Sequence, residues 1–126
     1  MTMQSPLGRV RGLGSAKSGA GTWFAERFTA LALVPLTLWF VAVMISGLDA
    51  DYAAMRASMA GPGNLALMVL LLGFAFWHMA LGLVAVIEDY VHTEWVRMSA
   101  IVLVKFVSIA VAAACVFAVL KIAFAG

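Results

Sequence analysis

The strongest sign of the fold is the segment 65–87, LALMVLLLGFAFWHMALGLVAVI, which contains one titratable side chain, His78. Its 23 residues would reach about 34 Å as an α-helix, enough to cross a hydrocarbon core of about 30 Å. A run this long and apolar is typical of a transmembrane helix. The segment therefore predicts a membrane span with an imidazole inside it.

Two further apolar runs flank this segment. Residues 28–48 are uncharged, and residues 98–120 carry a single charge, at Lys105. Over the whole chain 65% of the residues are hydrophobic and 11% are charged, against about 45–50% and 25% in soluble domains. The sequence predicts an all-α membrane protein with an N-terminal arm over 1–24 and a three-helix anchor domain over 25–126. Its spans are expected at about 26–48, 64–91 and 97–121.

Charge counting predicts the orientation, because loops on the cytoplasmic side are enriched in Lys and Arg. With the N-terminus inside, the inner side has five such residues and the outer side two: Arg9, Arg11, Lys17, Arg27 and Arg97 against Arg56 and Lys121. The N-terminus is predicted to be cytoplasmic and the C-terminus periplasmic. The net charge of +2 is small and scattered, which gives no support for nucleic-acid binding.

His78 and Asp89 lie eleven residues apart, so on a helix of 100° per residue they share one face. Ala75, Gly82 and Ala85 lie on the same stripe. Small residues in a membrane helix allow close approach of another helix, and they equally leave room for a flat cofactor. An intramembrane histidine can be a haem ligand or a neutral imidazole hydrogen-bonded between helices. The residues leave both readings open.

The segment HMALGLVAVIEDYVH, residues 78–92, resembles the signature of the succinate dehydrogenase membrane-anchor D subunit. That family shows a His, a Gly four residues later, and Asp-Tyr eleven and twelve residues later, often followed by Val-His. All these positions match here, from His78 through Gly82 to Asp89 and Tyr90. Arg27, before the first span, is similar to an Arg that the family shows there.

The resemblance implies a role for each matched residue. His78 would be an axial ligand of the haem b iron, with Gly82 giving clearance for the porphyrin, and Arg27 would lie near the haem propionates or the quinone pocket. Tyr90 would donate a hydrogen bond to ubiquinone, and Asp89 would shape that site.

The resemblance also implies partners: a C-subunit membrane anchor, an iron–sulfur subunit and a flavoprotein subunit, held at a bacterial inner membrane, with the mitochondrial inner membrane as the alternative. Only one histidine lies inside a span, so a second haem ligand would come from another chain. The alternative functions are a cofactor-free helical assembly subunit and the anchor of a fumarate reductase.

The orientation gives a direct prediction. Reporter domains fused after Asp51 and at Gly126 should both be active only in the outer compartment, because one span and three spans, respectively, would separate them from the cytoplasmic N-terminus. Activity of either fusion in the cytoplasm would contradict the predicted topology.

Overall fold

The computed structural model describes residues 5–12 and 19–124, which form five α-helices and no strand. The helices are α1 (Pro6–Val10), α2 (Gly19–Ser46), α3 (Tyr52–Ala60), α4 (Pro62–Tyr90) and α5 (Glu94–Phe124). Parts of the predicted arm and of the predicted anchor domain, residues 1–4, 13–18 and 125–126, lie outside the described residues.

Three of these helices, α2, α4 and α5, are long and apolar enough to cross a membrane. They contain 28, 29 and 31 residues, so each reaches more than about 40 Å, which exceeds the hydrocarbon thickness of about 30 Å. The prediction of an all-α chain with three membrane helices is confirmed. Which end faces the cytoplasm stays a prediction from charge.

The helix boundaries differ from the sequence expectations in two places. Helix α2 begins at Gly19, not near residue 26, so it includes the end of the predicted arm. The connection between the first two spans contains α3, although the sequence suggested a loop there. Asp51 caps α3, because its carboxylate accepts a hydrogen bond from the backbone N–H of Ala54 at 2.8 Å, satisfying one of the free donors at a helix start.

Helix α4 lies in the middle of the fold. It packs on α2 and on α5, while α2 and α5 do not pack on each other within the described residues. The C-terminal end of α2, the N-terminal end of α4 and the C-terminal end of α5 lie together around a cavity of about 210 Å³, which Met44, Met68 and Ile122 help to line. We call this the distal end. The opposite end, where α2 begins and α4 ends, is the proximal end.

Helix α3 packs against α4 and α5 at the distal end. The Arg56 side chain donates a hydrogen bond through Nε to the backbone carbonyl of Ile122 at 2.8 Å. That carbonyl belongs to the last turn of α5, where carbonyls lack partners within the helix and the helix dipole favours a cation. The connection between α2 and α4 therefore also secures the end of α5.

The three long helices bury very little within the chain. In the described residues Leu36 is the one buried apolar side chain, at 8% exposed, and the buried polar side chains are Thr29 and Ser108. A water-soluble protein could not expose so much apolar surface. Lipid or other membrane subunits must cover these helices.

Candidate functional site

His78 makes a side-chain contact with the neighbouring helix. Its Nδ1 lies 2.8 Å from Oγ1 of Thr29 on α2. The imidazole is half-buried between α2 and α4. Thr29 itself is 0% exposed, so the contact lies in the interior of the α2–α4 interface. A polar group at this depth needs a hydrogen-bond partner, because the lipid can supply none.

The Thr29 hydroxyl also bonds back to its own helix. Oγ1 lies 2.8 Å from the backbone carbonyl oxygen of Ala25 and 3.1 Å from that of Glu26. Thr in a helix commonly uses its hydroxyl in this way, at three or four residues' distance. The backbone of α2 therefore fixes the hydroxyl that meets His78.

An aromatic pair beside this contact links α2 to α4, and a further ring stacks on each of its members within the same helix. Phe28, adjacent to Thr29, meets Phe74 on α4 edge to face, with 5.9 Å between ring centroids. Phe74 in turn stacks on Trp77 at 6.3 Å, and Phe28 on Phe24 at 6.5 Å. Phe74 lies one helical turn before His78, so its packing and the His78–Thr29 contact set the same register. Such ring pairs stabilise packing by about 0.5–1.5 kcal/mol each.

Arg27 lies close to the depth of His78. It precedes Thr29 by two residues, or about 3 Å along the helix, and Thr29 contacts His78 directly. Its exposed guanidinium carbon lies 5.6 Å from the ring centroid of Trp23, one turn toward the proximal end. The side chain thus extends from the level of His78 toward that end of the bundle.

The small-residue face beside His78 is open in this chain. A Cβ added to Gly82 would meet no atom within 4 Å, and Gly82 is exposed, while Ala75 and Ala85 are half-buried. A flat group or a helix of another subunit can approach this face closely.

Asp89 and Tyr90 lie at the proximal end of α4, where the helix terminates at Tyr90. Both side chains are exposed, Tyr90 at 78%. Just beyond the helix, Nδ1 of His92 lies 3.0 Å from the Tyr90 carbonyl oxygen, and the imidazole must donate because a carbonyl can only accept a hydrogen bond. Tyr90 is about 18 Å from His78 along the axis. The structure therefore has two separate candidate sites on α4.

The chemistry of His78 fits that of an axial haem ligand. In the described residues every fully buried side-chain nitrogen or oxygen has a hydrogen-bond partner, and Nε2 of His78 has none there. Nε2 must therefore reach the surface of the three-helix unit, where an iron atom could meet it. Those same residues contain no cluster of three or more His, Cys, Asp or Glu side chains able to hold a metal ion. His78 is the one histidine in their membrane-spanning helices, so a second histidine ligand would come from another chain.

A groove of about 660 Å³ lies on the other side of α4, between α4 and α5. Small residues line much of it, including Gly73, Ala80 and Ala112, and its polar members are Lys105 and Ser108. None of the predicted site residues lines it. The groove is separate from the His78–Thr29 contact.

Thr29 was not predicted from the sequence as a site residue. Thr29 lies ten residues from the start of α2, and His78 lies twelve residues from the end of α4, which is about 15 Å and about 18 Å along the two helices. Similar depth on adjacent antiparallel helices was the signal that could have paired Thr29 with His78. Comparing the two depths requires that α2 begins at Gly19. The charges and glycines of the N-terminal arm did not indicate a helix there.

Comparisons with known proteins agree with the resemblance. The family described as "Succinate dehydrogenase/Fumarate reductase transmembrane subunit" matches residues 1–114. A succinate dehydrogenase hydrophobic membrane anchor subunit of Rickettsia bellii is 32% identical over 111 residues, covering 88% of this chain and 89% of that protein. A succinate dehydrogenase membrane anchor subunit of Reclinomonas americana is 30% identical over 96 residues, covering 74% and 80%. No solved structure gives a significant match.

Proposed function

We propose that this chain, which belongs to the family of succinate dehydrogenase and fumarate reductase transmembrane subunits, binds haem b and forms part of a ubiquinone-reduction site. The chain is a membrane-anchor subunit of succinate dehydrogenase, as the names of its relatives indicate. The observation that carries the proposal is the half-buried His78, whose Nδ1 is occupied by Thr29 while Nε2 is free within the described residues.

The proposed partners follow from the role of an anchor. A flavoprotein subunit and an iron–sulfur subunit would dock at the proximal end and deliver electrons from succinate. A C-subunit would pack against the exposed membrane face and supply the second axial ligand. The near absence of buried apolar side chains in α2, α4 and α5 supports such a partner, because helices in a bundle bury far more of their surface. We place the complex in a bacterial inner membrane.

When bound, haem b accepts and releases single electrons. The part of this chain is to hold and orient it. His78 would coordinate the iron through Nε2, and the open surface at Gly82 would admit the porphyrin edge. Arg27, at nearly the depth of His78, would pair with a propionate, since a guanidinium is well suited to bind a carboxylate.

Tyr90 and Asp89 would form this chain's part of the quinone site. Reduction of ubiquinone to ubiquinol takes up two electrons and two protons, and negative charge develops on the carbonyl oxygens as the electrons arrive. The phenolic O–H of Tyr90 would donate a hydrogen bond to one such oxygen and stabilise that charge. The Asp89 carboxylate would lie beside it and help to orient the ring.

The haem role predicts the spectrum of a His78→Leu variant. The purified complex should lose the absorption bands of low-spin, doubly ligated haem. The Thr29 hydroxyl can still donate to the Ala25 or Glu26 carbonyl, so no donor is left unsatisfied and the chain should still insert. A His92→Leu variant, which changes the other histidine, serves as the matched control and should keep the bands. An unchanged spectrum and haem content in the His78 variant would contradict the proposal.

The quinone role predicts the kinetics of a Tyr90→Phe variant. Loss of one donor costs about 10²–10³-fold in rate at a dry site. We expect the rate of quinone reduction to fall by roughly tenfold to a hundredfold. The loss should be smaller than at a dry site because water can reach Tyr90 at the membrane boundary. Succinate oxidation with a water-soluble dye as acceptor should be unchanged, since those steps occur in other chains. Tyr52→Phe, which alters the other tyrosine at the distal end, should affect neither assay. Wild-type quinone reduction in the Tyr90 variant would remove Tyr90 from the site.

A further inference from the structure

We propose that Thr29 is a positioning residue for the haem ligand: its hydroxyl oxygen accepts a hydrogen bond from Nδ1–H of His78 and so holds the imidazole in the tautomer that leaves Nε2 free for iron. This inference rests on the proposed function, in which His78 is an axial ligand. It goes further, because it assigns a role to a residue on a different helix from the ligand.

Counting hydrogens determines the direction of the contact. A threonine hydroxyl has one hydrogen, and Oγ1 of Thr29 lies within bonding distance of two carbonyl oxygens and of Nδ1 of His78. The carbonyls of Ala25 and Glu26 can only accept. If the hydroxyl donates to either of them, Nδ1 must bring its own hydrogen, and both donors are satisfied.

The opposite direction leaves one hydrogen bond fewer. If the hydroxyl donated its one hydrogen to Nδ1, it could not donate to a carbonyl of α2. The hydrogen of the neutral imidazole would then be on Nε2. Within the described residues Nε2 has no acceptor, so that N–H would be unsatisfied in the membrane. An unsatisfied donor destabilises the arrangement, because nothing replaces the hydrogen bond it lost on leaving water. The Nδ1–H tautomer is therefore the favoured one.

The burial of Thr29 strengthens the preference for the Nδ1–H tautomer. Thr29 is 0% exposed, so water does not compete for its hydroxyl, and a hydrogen bond in such a low-dielectric interior is stronger than at the surface. The edge-to-face contact of Phe28 with Phe74 holds the two helices in register around it. The imidazole is thus held in orientation before any iron binds.

The consequence for bound iron follows from the chemistry of histidine ligands. A ligating His usually donates its second N–H to an acceptor, which fixes the ring and makes the ligating nitrogen more basic. A more basic ligand stabilises the ferric form and lowers the reduction potential. Loss of the Thr29 hydroxyl should therefore raise the haem midpoint potential and weaken haem retention, by about tenfold or more in affinity.

The test uses two pairs of variants in the complete purified complex. Thr29 is compared with Thr29→Val, and Thr29→Ser with Thr29→Ala; the members of each pair differ chiefly by the hydroxyl. Haem midpoint potential is measured by spectroelectrochemical titration, and haem loss by transfer to an acceptor protein. We expect the two variants without a hydroxyl to have the more positive potential and about tenfold faster haem loss. Thr29→Ser should remain close to wild type.

The outcomes separate this inference from the proposed function. If neither pair shows a difference in potential or haem loss, while His78→Leu abolishes the low-spin bands, Thr29 does not position the ligand although the haem role stands. If His78→Leu also leaves those bands intact, the haem role itself fails and the positioning role with it. All three Thr29 variants could instead lose stability of the complex while their haem midpoint potentials stay unchanged. That result would mean that Thr29 only packs the α2–α4 interface, and it would overturn the inference.

Discussion

The hydrogen bond between Thr29 and His78 governs how the first two membrane helices, α2 and α4, align. An imidazole inside a membrane needs a polar partner, and α2 supplies one at 2.8 Å from a fully buried residue. This requirement sets the depth of α2 relative to α4. The edge-to-face packing of Phe28 on Phe74 fits the same register, and Arg27 is thereby brought close to the level of the imidazole. One polar contact thus aligns two helices and the residues proposed to hold the cofactor.

The central position of α4 explains how one helix can serve two sites. It contacts both α2 and α5, which do not contact each other in the described residues, so it is supported on two sides while its remaining surface stays open. His78 lies at that surface near the middle of the helix, and Tyr90 lies at its end, about 18 Å away. In the proposed function the helix spaces the haem from the quinone at a fixed distance, and the other subunits complete both sites.

Much of this could be predicted from the sequence because membrane helices are dictated by length and hydropathy. The spans around 28–48, 65–87 and 98–120 needed no tertiary information, and His78 was evident because a titratable side chain is costly there. Thr29 was not evident as a site residue, because a threonine hydroxyl can form its hydrogen bond within its own helix and so does not indicate a partner on another one. Helix α3 was missed since its short, mixed sequence is stabilised by the Asp51 cap and by Arg56 reaching Ile122, a contact distant in sequence.

A high-resolution cryo-electron microscopy map of the complete complex, purified from membranes, would show directly whether His78 binds haem while it contacts Thr29. We expect haem between this chain and a second membrane subunit, with the iron coordinated by Nε2 of His78 and Nδ1 still within hydrogen-bond distance of the Thr29 hydroxyl. A map in which His78 contacts only protein, or in which both axial ligands come from other chains, would contradict it.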